Sequence, residues 1–309
     1  MLSQEEIQQA LRASRVVPLG VTNPHGPLGL EQLAAEVRGV TAVFQPLRDR
    51  DAYASIRGYV YQIDRTVDRW LGLVAGQVLE LERGEDIDLV GRLISAGGAV
   101  EAEDRLLEQI KHREAAVTLR TPAALEALAN FHDHRINNPG IELCFCFLTN
   151  ATVGYEQFSP FPERVPGITL WEQVRTRQFA EVTAVAAVGH LRRFLGHSLR
   201  PDGLAPAVWT NWKEYLATAT PEEFREFVER FEWSTGQPDA QQLPLALRTR
   251  IHSFGFARDE FEAEAVADRL FVHVARLLST AGVKRLTVED RVRLLAAPTL
   301  PASDRDLVA

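Results

Sequence analysis

Residues 78–112 read VLELERGEDIDLVGRLISAGGAVEAEDRLLEQIKH, and this stretch decides the fold. Apolar and polar side chains alternate along three short segments of it, at 78–82, 87–90 and 106–111. Alternation with a period of two is typical of a half-buried β-strand. Glycines that favour turns fall between the segments: Gly84, Gly91, Gly97 and Gly98. We therefore expect a small antiparallel meander.

Several reactive side chains share a face in this predicted sheet. Residues two apart on a strand point to the same side, so Gln109 and Lys111 project together, as do Asp86 and Asp88, while Glu108 points away. Oxygen ligands of this kind hold a magnesium-like ion, and a nearby lysine can orient the attacking water. The pattern therefore suits metal-assisted cleavage of a phosphodiester.

These residues resemble a known nuclease signature. Glu82, then residues 85–88 and then residues 109–112 are similar to the active site of the PD-(D/E)xK nuclease superfamily, in the Mrr-like variant where glutamine replaces the second acid. The flanking segments GYVYQ (58–62) and FCFLTNA (145–151) resemble the double-stranded-DNA endonuclease domains of bacterial anti-phage effectors, such as the nuclease half of CBASS effectors. The resemblance is to four motifs in the same order.

The resemblance extends over about half of the chain and implies a bound divalent cation, Mg²⁺ or Mn²⁺. Asp86 is its expected principal ligand. Gln109 and the backbone carbonyl of Ile110 are expected to complete the metal shell. Glu82 and Asp88 are expected as secondary carboxylate ligands, and Glu82 is also counted among the catalytic residues.

Other residues receive roles from the same resemblance. Lys111 is expected to position the attacking water, and Tyr61 and Gln62 are expected to approach the active site from the preceding helix. The alternatives are structural. The acids could be solvated turn residues, Lys111 could end its strand by reaching to water, and Gln62 could be an ordinary polar residue of an amphipathic helix.

The charge balance constrains how DNA could bind. The formal net charge is -8, which argues against a general nucleic-acid coat, because phosphate affinity comes from lysine and arginine. A local basic rim is enough for a nuclease. The expected DNA contacts are Arg57, Arg65, His112 and Arg113.

The predicted fold class is α/β: a restriction-endonuclease-like core of helix, antiparallel meander, helix and strand, followed by a mainly helical second half. We predict one long helix over residues 171–195 and helices throughout the region beyond Pro206. The predicted domains are a helical arm at 1–50, the nuclease domain at 51–205, a helical interaction or oligomerisation domain at 206–297 and a linker-like tail at 298–309.

Composition excludes several classes. The 309 residues contain no apolar run near the ~20 needed to cross a bilayer, and the first residues lack the pattern of a signal peptide. We therefore expect a cytoplasmic protein without a membrane partner. The two cysteines, Cys144 and Cys146, are too few for a disulfide framework or zinc site and are interpreted as reduced core residues.

The predicted function is that of a metal-dependent DNA endonuclease effector in anti-phage defence, acting on double-stranded DNA. The sequence has no phosphate-binding loop of the GxxxxGK[S/T] type. We therefore expect a homo-oligomer, or a complex with a separate sensor or ATPase or with a fused module. The alternative is a catalytically inactive nuclease-fold module that binds nucleic acid or scaffolds a defence complex.

Overall fold

A six-stranded mixed sheet runs through the residues that the computed structural model describes, which are 53–94, 100–157, 161 and 164–296. The predicted arm at 1–50 and tail at 298–309 lie outside them. The helices of the described part are α1 (Tyr53–Leu71), α2 (Pro122–Asn137), α3 (Gly167–Arg175), α4 (Glu181–Gly196), α5 (Pro206–Thr218), α6 (Pro221–Glu229), α7 (Gln242–Ser253), α8 (Glu260–Leu278) and α9 (Val288–Ala296). The strands are β1 (Gln77–Leu81), β2 (Ile87–Ile94), β3 (Val100–Lys111), β4 (Glu142–Thr149), β5 (Phe231–Ser234) and β6 (Arg285–Leu286).

The predicted meander is confirmed as the centre of this sheet. The strand order is β5-β4-β3-β2-β1-β6; the pairs β6–β1, β1–β2 and β2–β3 are antiparallel, and the pairs β3–β4 and β4–β5 are parallel. The predicted succession of helix, three strands, helix and strand is present in α1 to β4. Because β2 and β3 are antiparallel, the start of β2 and the end of β3 lie at the same end of the sheet.

The prediction of a turn at Gly91 is wrong, because β2 continues through this residue. Gly91 pairs with Asp104 of β3. A Cβ at Gly91 would lie 2.2 Å from Oδ1 of Asp104, so this glycine permits a close approach within the ladder. At this position the alternation of apolar and polar residues predicted the strand correctly, whereas the glycine did not mark a turn.

Helices cover both faces of the sheet. On one face, α2 to α6 pack against side chains such as Leu107, Phe145 and Phe147. On the other face, α1, α7 and α8 pack against side chains such as Ile110 and Leu148. Successive strand residues point to opposite faces, so both faces of β3 and β4 are buried, as the apolar run at 142–149 predicted.

The second half of the chain is mainly helical, but the prediction that it contains only helices is wrong. Strands β5 and β6 extend the sheet at its two edges by pairing with β4 and β1. The predicted long helix at 171–195 is also two helices, α3 and α4, and Arg177 between them has a φ of 54°. The proposed domain boundary at residue 205 stays a prediction.

Two smaller findings concern the cysteines and the membrane. Cys146 is buried in the core as predicted, whereas Cys144 is exposed, and both are free thiols. Among the described residues, no helix has the length and apolar character that a bilayer span requires.

Asp64 of α1 gives the first testable prediction. Its side chain is 7% exposed, and burial raises the pKa of its carboxyl to about 6. The folded state therefore holds the proton more tightly than the unfolded state, and stability falls as pH rises from about 4 to about 6. We expect Asp64→Asn to raise the free energy of unfolding at pH 8 by up to about 3 kcal/mol.

The measurement is urea denaturation of both proteins at pH 4 and pH 8. The gain from Asp64→Asn should be present at pH 8 and almost absent at pH 4, because the wild-type carboxyl is then protonated. An equal gain at both pH values would mean that the carboxyl is not desolvated in the folded protein.

Candidate active site

The predicted acid and the predicted amide and lysine meet where β2 begins and β3 ends. The ladder pairs Ile87 with Glu108, so Asp86, one residue earlier, lies across from Gln109. Oδ2 of Asp86 accepts a hydrogen bond from the backbone N–H of Ile110 at 2.7 Å. The carboxylate is thereby held beside the backbone segment that connects Gln109 to Lys111.

The environment of Asp86 contains opposing charges. Burial raises the pKa of its carboxyl, while the Lys111 ammonium and the Ile110 N–H favour the ionised form and act against that rise. Glu85 and Glu82 add smaller contributions that raise this pKa further. A carboxyl in this position gains from a cation close to it, because a cation stabilises the ionised form.

Gln109 supplies an oxygen without a partner. Its side chain is 6% exposed, and Oε1 is buried with no hydrogen-bond partner among the described residues. An unpaired buried amide oxygen costs about 1–3 kcal/mol unless a ligand satisfies it. The oxygens of Asp86 and Gln109 therefore form the part of the site best suited to an incoming cation.

Asp88 differs from its predicted role as a secondary metal ligand. It is fully buried, and its oxygens accept hydrogen bonds from the backbone N–H groups of Gly84 (3.0 Å) and Glu85 (3.1 Å) and from Arg105 (2.9 Å). Burial raises the pKa of its carboxyl, and these donors oppose the rise. Asp88 thus braces the turn that carries Asp86 and does not offer a free oxygen.

Glu82 lies close to Asp86 but is also engaged. Its backbone N–H donates to the carbonyl of Asp86 at 3.3 Å, and its side chain forms an ion pair with Lys284. It has a φ of 53°, a left-handed conformation that bends the chain out of β1. To ligate a metal, as predicted, the carboxylate of Glu82 would have to leave Lys284.

A contact that the sequence did not indicate holds the same turn from the helix side. Nε2 of His134, on α2, lies 3.4 Å from Oε1 of Glu85, and this hydrogen bond raises the pKa of the imidazole. His132, two residues earlier, is instead buried against Trp212 and Tyr215, and burial lowers its pKa to about 4. The two histidines therefore serve different purposes and do not form a pair.

Tyr61 is separated from this centre by the sheet. Tyr61 is fully buried in the core that contains Ile110, on the opposite face from Gln109 and Lys111. Its ring contacts that of His112 edge to face, with centroids 5.2 Å apart. Gln62 is partly buried, and its backbone carbonyl accepts from Oγ1 of Thr66. The side chain of Tyr61 therefore does not approach Asp86 as predicted, whereas the approach of Gln62 stays a prediction.

Three of the four expected DNA contacts, Arg57, His112 and Arg113, border the same cavity, whereas Arg65 does not. Arg65 is 6% exposed and donates to Oε1 of Gln237 at 3.0 Å, so it is not available at the surface. Arg57 forms an ion pair with Glu114. The burial of Arg65 could not be predicted from the sequence, because its partner Gln237 lies far along the chain, in the loop before α7.

His112 and Arg113 border a cavity of about 600 Å³ beside α1, which we call the α1 cavity. Asn150 fixes the backbone there: its side chain accepts from the N–H of Arg113 and donates to the carbonyl of Arg113, both at 2.8 Å. The walls of the α1 cavity include Ile56, Val60, His112, Arg113, Asp239 and Ala240. Asp239 and Ala240 carried no signal in the sequence.

The donor set at Asp86 is compatible with a hard cation but is small. Among the described residues, no group of three or more histidine, cysteine, aspartate and glutamate side chains could hold a metal ion. The candidate set here differs, because two of its three oxygens come from the Gln109 amide and the Ile110 carbonyl. Such oxygen donors suit Mg²⁺ or Mn²⁺ better than zinc.

Comparisons with known proteins give a structural likeness only. No family model matches the chain, and no curated protein matches it significantly. Among solved structures, the chain is similar to the Cap4 SAVED/CARF-domain containing receptor of Moraxella osloensis (TM-score 0.42, 11% identity, 77% of this chain and 46% of that chain).

It is also similar to the corresponding receptor of Acinetobacter baumannii determined with the cyclic trinucleotide 3'3'3'-cAAA (TM-score 0.43, 10% identity, 80% of this chain and 50% of that chain). The chain thus spans about half the length of the structures it matches. TM-scores this low do not establish a shared fold.

Proposed function

We propose that this chain is a metal-dependent DNA endonuclease that hydrolyses phosphodiester bonds. The observation that carries the proposal is the convergence of Asp86 with the end of β3: its carboxylate accepts from Ile110 at 2.7 Å, beside the unpaired Oε1 of Gln109 and next in sequence to Lys111. These are the residues on which the sequence resemblance depends.

The metal would be held by Asp86, by the side-chain oxygen of Gln109 and by the carbonyl of Ile110. A bound Mg²⁺ or Mn²⁺ would polarise the phosphate and lower the pKa of a coordinated water. Because Gln109 brings no charge, Asp86 is the carboxylate on which metal affinity depends most. Burial raises the pKa of Asp86, so metal binding should weaken at acid pH, where its carboxyl holds a proton.

Lys111 has two tasks in this proposal. Its ammonium orients the attacking water and offsets the negative charge that develops on the phosphate. It also favours the ionised form of Asp86 before substrate arrives. A partly buried ammonium at the end of β3 can do both, since its neighbours on that face are Gln109 and the buried apolar core.

A second candidate is a catalytically inactive nuclease-fold module that binds DNA or scaffolds a complex. The ion pairs of two predicted ligands favour it: Glu82 is paired with Lys284, and Asp88 is hydrogen-bonded to Arg105. A site left with Asp86 as its one unpaired acid would hold a cation weakly. The two candidates differ in one measurable property, which is cleavage.

The biological role proposed with the enzyme is that of an anti-phage effector, and it rests on the order of the four sequence motifs. Both strands of a duplex are cut when two copies of one active site act together. We therefore propose that the chain acts as a homo-oligomer, or in a complex with a separate sensor or ATPase or a fused module.

The deciding experiment incubates supercoiled plasmid with the full chain in Mg²⁺, in Mn²⁺ and in EDTA. We expect nicked and linear products with either ion and none in EDTA. The oligomeric state is recorded for each sample, because assembly is part of the proposal. DNA binding without cleavage in any of these conditions and assemblies would favour the inactive module and contradict the enzyme.

A further inference from the structure

The α1 cavity lies at the end of the sheet where β3 and β4 finish. Ligands of open α/β sheets commonly bind outside the carboxyl ends of parallel strands. The cavity of about 600 Å³ lies between α1, the residues that follow β3 and the turn before α7. The chemistry proposed for Asp86 and Lys111 does not use it.

The walls of the α1 cavity combine an apolar side with polar groups. Ile56, at 60% exposure, Val60 and Ala240 form the apolar side. Asp239 accepts the backbone N–H groups of Gln241 and Gln242 at 2.8 and 2.9 Å, both on Oδ1, which leaves Oδ2 to accept from a ligand. These amides lower the pKa of Asp239, so the carboxylate is ionised at neutral pH.

Three basic residues also line the cavity: Arg57, which is paired with Glu114, and His112 and Arg113. Nε of Arg113 is buried and has no hydrogen-bond partner among the described residues. His112 lines the wall of the cavity, and its ring packs edge to face against that of Tyr61. A ligand that fills this space should therefore have a flat body, hydrogen-bond donors for Asp239 and an anionic group for Arg113.

The α1 cavity begins next to the candidate catalytic lysine. His112 and Arg113 are the first and second residues after Lys111, so the backbone distance from Lys111 to Arg113 is at most about 7 Å. The Arg113 wall of the cavity is therefore close to the candidate active site along the backbone, although α1 packs on the opposite face of the sheet from the Lys111 side chain.

We propose that the α1 cavity holds one nucleotide that is unstacked from DNA beside the phosphate to be cleaved. Its base packs against Ile56 and Val60, an exocyclic amino group donates to Asp239, and its phosphate contacts Arg113. This deepens the proposed function and rests on it. A paired base cannot enter such a cavity without leaving the helix, so the enzyme should prefer DNA with an unpaired nucleotide.

The test measures binding without catalysis. The full chain carrying Asp86→Ala is titrated in EDTA against fluorescent duplexes that are fully paired, or contain one bulged adenosine, or contain one bulged abasic site. The bulged adenosine should bind about 10-fold more tightly than the abasic bulge, because the abasic site lacks the base that packs on Ile56 and Val60 and donates to Asp239. Ala240→Trp fills the cavity and should make the two affinities equal.

Two further variants test whether the preference comes from the cavity. Ile56→Ser alters an exposed wall residue without threatening the fold and should reduce the preference several-fold. Ala217→Trp, at an exposed position on α5, is the matched control and should keep the preference. Adenosine monophosphate is added as a competitor to distinguish free nucleotide from DNA.

Equal binding of the adenosine and abasic bulges by the parent chain would overturn the proposal, and so would a preference that survives Ala240→Trp. Displacement by micromolar adenosine monophosphate would assign the cavity to a soluble nucleotide and overturn the DNA assignment. Binding of none of the duplexes would overturn it as well. Plasmid cleavage by the chain with Asp86 intact decides separately whether the endonuclease proposal stands.

Discussion

Replacing Lys111 with alanine should reduce cleavage of duplex DNA by about 100-fold or more, the typical effect of losing one group that stabilises developing charge. The ammonium is expected to orient water and to offset charge on the phosphate. The melting temperature should change little, because Lys111 is partly exposed and lies at the end of its strand. The measurement is the single-turnover rate in saturating Mg²⁺, with a thermal melt of each protein.

The matched control is Arg293→Ala on α9, which removes one positive charge from a side chain that is 79% exposed. It should cleave as the wild type does. Lys111→Arg should recover only part of the rate, since a planar guanidinium cannot place a water as an ammonium does. If Lys111→Ala cleaves normally, or loses its fold together with its activity, the lysine has a structural role instead.

Among the proposed substitutions, Arg69→Met should lower the free energy of unfolding most. Glu108 of β3 is fully buried, and its carboxylate accepts from Nε of Arg69 at 2.7 Å and from Nη2 at 2.5 Å. Removing one partner of such a pair leaves an unpaired charge in the core and costs about 3 kcal/mol. A loss of that size corresponds to a fall in melting temperature of about 6–12 °C.

The double variant Arg69→Met/Glu108→Gln should recover a large part of that loss, because the buried charge is gone. The deficit of the single variant should also grow with pH. Burial raises the pKa of Glu108, and without Arg69 the folded state would favour the protonated carboxyl still more strongly. Chemical denaturation at pH 5 and pH 8 tests both points. Equal stability of the single and double variants would contradict coupling between the two residues.

The sequence was sufficient for features that depend on local periodicity. Alternation predicted β1, β2 and β3, and the spacing of Gln109 and Lys111 predicted their common face. It failed where the partner is distant along the chain. Three pairings depend on tertiary structure: those of Arg105 with Asp88, of Lys284 with Glu82 and of His134 with Glu85.

The two edge strands show a different limit. β5 has four residues and β6 has two, too few for alternation to stand out against the helical pattern around them. The sequence FEWS at 231–234 does alternate, yet its role follows from pairing with β4. Each paired residue of β4 lies 86 positions earlier in the chain, as Phe145 does for Phe231.

The late position of β5 has a consequence for protein synthesis. β4 leaves the ribosome long before β5, and until then its apolar ribbon has an open edge that can recruit another chain. A nascent or truncated chain that stops before residue 231 should therefore aggregate or need a chaperone. The six-stranded sheet becomes self-contained only after most of the polypeptide has been translated.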